Sequence, residues 1–147
     1  MRTGWAGGET QDPHETIQLG EYFSGFMEKG DVYAFLGELA SGKTTFIQGI
    51  LRGLRYTRPV TSPTFTLINE YNTKHQVIHI DCYRENELNR WIKLGLNDYM
   101  NEENIVMIEW ADKIKVLLPE DTIYIQFSHK GVNKREIILK ENEYSCC

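Results

Sequence analysis

Residues 37–44, Gly37-Glu38-Leu39-Ala40-Ser41-Gly42-Lys43-Thr44, fit the spacing G-x-x-x-x-G-K-[ST], and no other stretch constrains the chain as much. Two glycines let the backbone curl until successive N–H groups point at one place, which makes a nest for phosphate. At this spacing the Lys43 ammonium reaches the β- and γ-phosphates and the Thr44 hydroxyl can ligate Mg²⁺. A helix that starts where the loop ends adds the positive end of its dipole. From average composition, the odds of a chance match in a chain of this length are roughly 0.5%. The flanking sequence lowers them. Residues 32–36 are a continuous apolar run of strand length, and Phe46, Ile47, Ile50, Leu51 and Leu54 recur at helical spacing. Strand, loop and helix are the setting the motif requires. The residues imply a nucleoside triphosphate with Mg²⁺, and leave open what it is used for.

A length of 147 residues points to one domain, and a hydrophobic fraction of 41% is enough for one packed core. It leaves little room for a second substrate domain or a large lid. The net charge of -5 speaks against a protein that grips nucleic acid by itself. Arg52, Arg55 and Arg58 read as a solvated helix end favoured by the dipole. No apolar run is long enough to span a membrane, residues 1–8 lack the apolar core of a signal peptide, and three cysteines do not make a disulfide framework. A cytoplasmic location is expected. Cys146-Cys147 is not a C-a-a-X box, and residues 1–9 and 142–147 are expected to fray.

Along the chain, residues 1–11 read as irregular, with room for a short edge strand. Asp12-Pro13-His14-Glu15 starts a helix, with Asp12 as N-cap, Pro13 at the first helical position and Glu15 completing a capping box. Leu19, Tyr22, Phe23, Phe26 and Met27 give it one apolar face, and Gly30 is its expected end. The helix after the phosphate loop ends near Gly53. Thr61-Ser62-Pro63-Thr64 reads equally well as a switch touching the γ-phosphate and as a turn whose hydroxyls satisfy local backbone. Residues 65–71 and 76–81 form an antiparallel hairpin, so the sheet is mixed. Residues 84–99 read as helical, broken at Gly95, with Leu88, Trp91 and Ile92 buried. A short helix over 112–117 and a closing hairpin of 123–127 with 136–139 follow.

Two apolar runs end in an acid: Val77-Ile78-His79-Ile80-Asp81 and Ile105-Val106-Met107-Ile108-Glu109. A buried strand that delivers a carboxylate to its C-terminal end supplies the second half of a phosphate-loop site, binding Mg²⁺ or orienting the attacking water. Glu109 is assigned to Mg²⁺ and Asp81 to the metal or the water, and the two roles can be exchanged. The four histidines show no metal-ligand spacing. His79 reads as a core residue or a neighbour of the ligands. Trp110 either packs in the core or shapes the nucleotide site. Asn133-Lys134-Arg135-Glu136 imitates a guanine-reading N-K-x-D, but it ends in Glu and lies in a hairpin turn, and no D-x-x-G follows the Ser-Pro-Thr loop. ATP is therefore favoured over GTP. A metabolite kinase is the second enzymatic possibility, although no arginine-rich lid is present. A nucleotide-gated interaction module without useful hydrolysis is the alternative from another class.

The phosphate loop with Thr45 and Phe46 resembles the G-D-L-G-A-G-K-T-T-F of the TsaE family, the bacterial ATPases of tRNA threonylcarbamoyladenosine biosynthesis. Val60-Thr61-Ser62-Pro63-Thr64-Phe65-Thr66-Leu67 is similar to that family's V-x-S-P-T-F-T-L, and His79-Ile80-Asp81-Cys82-Tyr83-Arg84 to its H-F-D-L-Y-R. Leu94–Tyr99, Ile108-Glu109-Trp110, and Thr10 with Thr16 around the first helix match as well. The resemblance covers about residues 10–140. It implies a phosphate-loop NTPase fold, a mixed β-sheet between helices in three α/β/α layers. It also implies a small cytoplasmic ATPase that works with the transferase TsaD and its partner TsaB, and touches tRNA only indirectly or weakly. By this resemblance Lys43 contacts phosphates, with Gly37, Glu38, Leu39, Ala40, Ser41, Gly42, Thr44 and Thr45 around them. Thr44 and Glu109 hold Mg²⁺, and Asp81 with Ser62-Pro63-Thr64 completes the catalytic side. Thr10 and Arg135 approach the base, and Trp110 borders the nucleotide. The chain departs from the family at Ala40, which replaces a loop glycine, at Glu38 for Asp, at Ala111 for a proline, and at Arg55, where a glycine often closes the helix. Nucleotide binding is expected to survive the Ala40 change.

Overall fold

A strand covered on both faces has to be apolar at every position, and Val32–Leu36 is: all five of its residues are buried. The computed structural model describes residues 5, 7–38, 40–60, 67–85 and 87–140. Within them this strand, β2, lies inside a seven-stranded sheet with β1 (Gly7–Thr10), β3 (Ile68–Asn72), β4 (Gln76–Asp81), β5 (Asn104–Glu109), β6 (Ile123–His129) and β7 (Arg135–Lys140). The order is β1-β7-β6-β2-β5-β4-β3. The central strands β6, β2, β5 and β4 are parallel, and β7, β1 and β3 join antiparallel at the edges. The sheet is mixed, as the short hairpin connections imply.

Helices α1 (Pro13–Ser24) and α2 (Lys43–Gly53) cover one face. There Phe23, Phe46, Ile47 and Ile50 meet Tyr33, Phe35, Val77, Ile105 and Met107. Helices α3 (Leu88–Lys93) and α4 (Leu96–Tyr99), with a kinked 3-10 segment over Ala111–Leu117, cover the other. Their Trp91, Leu96, Ala111 and Ile114 pack on Val32, Ala34, Ile78, Ile80, Val106 and Ile108. The two sets alternate along each strand with period two, which is the three-layer α/β/α architecture the resemblance implied.

Local corrections have physical reasons. Helix α1 stops at Ser24, not Gly30; Gly25 caps it, and Gly30 (φ 93°) instead turns the chain into β2. Asp12 Oδ1 accepts the Glu15 N–H at 2.9 Å, while Glu15 Oε1 accepts from Gln11, one residue earlier than a capping box requires. On α3 only Trp91 is buried, and Leu88 and Ile92 face solvent. Strand β3 begins at Ile68 after Leu67 (φ 70°), and residues 65 and 66 lie outside the described residues. Residues 7–9, expected to fray, pair with β7. Residues 142–147, with Cys146 and Cys147, lie outside the described residues.

Helices α1 and α2 cross at glycines. A Cβ on Gly49 would sit 2.1 Å from the Ile17 carbonyl oxygen, and one on Gly20 would sit 2.3 Å from the Phe46 carbonyl oxygen. Both obstacles are backbone, so no rotamer change relieves them. Gly49→Ala gains helix propensity but wedges the helices apart, and is expected to destabilise by about 2–3 kcal/mol. Urea unfolding would show this as a lower midpoint at unchanged slope.

Helix α2 closes in a Schellman motif: the Tyr56 N–H bonds the Leu51 carbonyl at 2.9 Å and the Arg55 N–H bonds that of Arg52 at 3.0 Å. The motif puts Arg55 at φ 68°. A side chain there strains the backbone, so Arg55→Gly is expected to stabilise by about 0.5–1 kcal/mol, read as a melting temperature higher by roughly 2–4 °C.

Candidate nucleotide site

The site is built at the carboxyl ends of the parallel strands, where helix dipoles and loops converge. The chain leaves β2 at Leu36 and enters the loop through Gly37 (φ 149°), where a Cβ would meet the Phe127 carbonyl at 2.7 Å. Ala40 follows at φ 61°, keeping the left-handed backbone that a glycine would hold more easily. Gly42 (φ 102°) is the N-cap of α2 and offers no side-chain cap, so the first N–H groups of the helix face the loop's concavity. Ser41 is buried, and among the described residues its hydroxyl finds no hydrogen-bond partner.

These residues border a cavity of about 380 Å³ whose walls include Ala40, Ser41, Gly42, Lys43, Thr44, Thr45, Asp81, Glu109, Trp110 and Arg135. The sequence-predicted groups from α2, β4, β5 and β7 thus meet in one place. Asp81 and Glu109 are register partners at the ends of β4 and β5. They share the strand parity of Val77 and Met107, so period two turns both toward the α2 face. Lys43 is buried; its Nζ donates to the Gly37 carbonyl at 2.7 Å and lies 3.8 Å from the Trp110 ring centre. Burial pushes the Lys43 pKa below its ordinary value, while Glu109 first, then Asp81 and Asp112, pull it back up. Trp110 (φ 58°) lies over the lysine and against Tyr83, with ring centres 4.9 Å apart.

Arg135 crosses from the β6–β7 turn to the loop, its Nη2 donating to the Ala40 carbonyl at 3.1 Å. It borders the cavity while bracing the loop. Gly37 and Glu38 border a neighbouring hollow instead, and Gly37 reaches the site through the carbonyl that holds Lys43. Thr10 is not on the cavity wall; its hydroxyl pairs at 2.7 Å with Thr16, which is. Leu39, Ser62 and Thr64 lie outside the described residues. Pro13, Tyr83 and Asn133 are wall residues that the residue patterns did not single out for the site. Asn133 belongs to the false guanine motif, and its place on the cavity wall shows only once the β6–β7 hairpin is formed.

A hydroxyl on Thr44 and two carboxylates beside a phosphate loop form an oxygen-only donor set, which suits Mg²⁺. Among the described residues no group of three or more His, Cys, Asp or Glu could hold a metal by itself. An ion here would complete its shell with phosphate oxygens and water, as Mg²⁺ commonly does. Also among the described residues, no helix is long and apolar enough to cross a membrane.

Comparison with known proteins places the chain among relatives of one family. The family described as "Threonylcarbamoyl adenosine biosynthesis protein TsaE" matches residues 10–137. A Bacillus subtilis relative named tRNA threonylcarbamoyladenosine biosynthesis protein TsaE is 38% identical over 129 residues, 87% of this chain and 80% of its own. The Haemophilus influenzae relative of the same name is 33% identical, over 89% of this chain and 87% of its own. The crystal structure of Bacillus subtilis YdiB superposes with a TM-score of 0.78 at 34% identity, covering 90% of this chain and 82% of that one.

Proposed function

Because this chain belongs to the TsaE family, we propose that it is the ATP-binding and ATP-hydrolysing subunit of the cytoplasmic system that installs threonylcarbamoyl on adenosine 37 of tRNAs reading codons that begin with A. It acts there with the TsaD and TsaB proteins. One observation carries the reading: Lys43, Thr44, Asp81 and Glu109, drawn from three separate elements, line one cavity at the uncapped start of α2. The loop N–H groups and Lys43 hold the phosphates. Thr44 and Glu109 hold Mg²⁺, which when bound neutralises charge on the phosphate oxygens. Asp81 orients the attacking water, and transfer of the γ-phosphoryl group follows from positioning and charge neutralisation. The acyl chemistry belongs to the transferase. The net charge of -5 fits a subunit that reaches tRNA through its partners.

The test is ATP hydrolysis by the purified protein, alone and with TsaD and TsaB. A rate that rises with the partners supports a motor subunit whose site they complete. A rate indifferent to them, with ADP released only when a small-molecule acceptor is supplied, replaces this reading with a kinase.

A further inference from the structure

The buried side of the site holds a group that the mechanism above does not use. His79 is fully buried in β4, and its Nε2 lies 2.7 Å from Glu109 Oε2. The register makes the contact possible. His79 faces Met107 across the β4–β5 ladder and Asp81 faces Glu109, so His79 and Glu109 are diagonal neighbours on one face, within reach of long side chains. The other ring nitrogen, Nδ1, is buried with no partner among the described residues. Among the described residues the ring has one polar contact, and it is with the carboxylate.

We infer that His79 is a positioning residue: its Nε2–H holds Glu109 Oε2, fixing the carboxylate so that its other oxygen is presented to the cavity for Mg²⁺. A Glu side chain has three rotatable bonds, and left free it would sample orientations that turn both oxygens away from the ion. Cross-linking one oxygen to a rigid ring on the neighbouring strand removes that freedom before the ion arrives. A buried carboxylate without the donor would also leave an acceptor unsatisfied. This inference rests on the Mg²⁺–ATP reading of the site.

The experiment measures ATP binding by calorimetry, in EDTA and across a Mg²⁺ titration, for the wild-type protein, His79→Leu, His79→Asn and His79→Gln. A Gln side chain can place an amide N–H near the position of Nε2, and Asn is too short to do so. Loss of the donor is expected to raise the Mg²⁺ concentration for half-maximal tightening about 10–100-fold, the range found when an outer partner of a metal ligand is removed. Binding in EDTA should be unchanged, and His79→Gln should restore most of the Mg²⁺ response. If His79→Leu does not fold, the Asn and Gln pair decides in the same way. A Mg²⁺ response that is the same with or without the donor overturns the inference, as does an equal loss of binding in EDTA, which marks a packing role. A wild-type protein whose ATP binding ignores Mg²⁺ overturns the Mg²⁺–ATP reading itself, and this inference with it.

Discussion

Replacing Lys43 with alanine is expected to lower ATP hydrolysis at least about 100-fold, the scale on which removal of a single preorganised charge acts, and to leave the fold standing. The ammonium sits buried between the Gly37 carbonyl and the Trp110 ring, beside Glu109 and Asp81. Its charge disfavours burial there, which is why its pKa falls even with carboxylates nearby. A group whose charged form is less comfortable in the folded chain than in water is not what holds the fold together, so thermal unfolding of the variant should stay close to wild type. Its contribution appears when phosphate oxygens take the place of the carbonyl and the ring. Trp110 is the tryptophan that borders the cavity, whereas Trp5 and Trp91 are buried in the two cores. Tryptophan emission should therefore change on ATP addition in the wild type and remain flat in Lys43→Ala. A variant that hydrolyses ATP at the wild-type rate would remove the phosphate loop from the mechanism.

Much of the site could be read from residue order because its parts are written locally. The loop spacing, the apolar strand before it, and the carboxylates closing residues 77–81 and 105–109 each lie within a few consecutive positions, and strand-end geometry brings them together. What could not be read depends on pairing between distant segments. His79 alternates with apolar neighbours like any core residue, and only the β4–β5 register shows that it meets Glu109. Gly20 and Gly49 look like weak points in helices, and become close-approach sites only once α1 lies across α2. The misplaced end of α1 has a different origin. Gly30 carries the stronger termination signal, but the backbone turns at Gly25, and Phe26 and Met27 reach the core from outside the helix. On α3 the apolar period marks a helix over Leu88–Lys93, yet among the described residues Leu88 and Ile92 stay largely exposed.

Glu109→Gln and Asp81→Asn are expected to fail in different ways, although both residues end neighbouring strands on one face. Glu109 lines the cavity with Lys43 and raises that lysine's pKa more than Asp81 does, and its Oε2 lies 2.7 Å from His79 Nε2. Glu109→Gln should therefore raise the Mg²⁺ requirement of ATP binding. Asp81 Oδ1 accepts the Tyr83 N–H at 2.8 Å, and Tyr83 is part-exposed and tied to Lys113 through its carbonyl at 2.8 Å. This ties Asp81 to the exposed segment that follows β4. Asp81→Asn keeps the shape and the metal response but loses the acceptor that orients the water, so turnover at saturating Mg²⁺ should fall about 10²–10⁴-fold. Steady-state rates across a Mg²⁺ series separate the two, since a metal defect is offset by more Mg²⁺ and a water-orienting defect is not. If Asp81→Asn is the variant that more Mg²⁺ restores, the roles of the two carboxylates are exchanged, and the hydrogen bond from His79 then steadies the residue that handles the water.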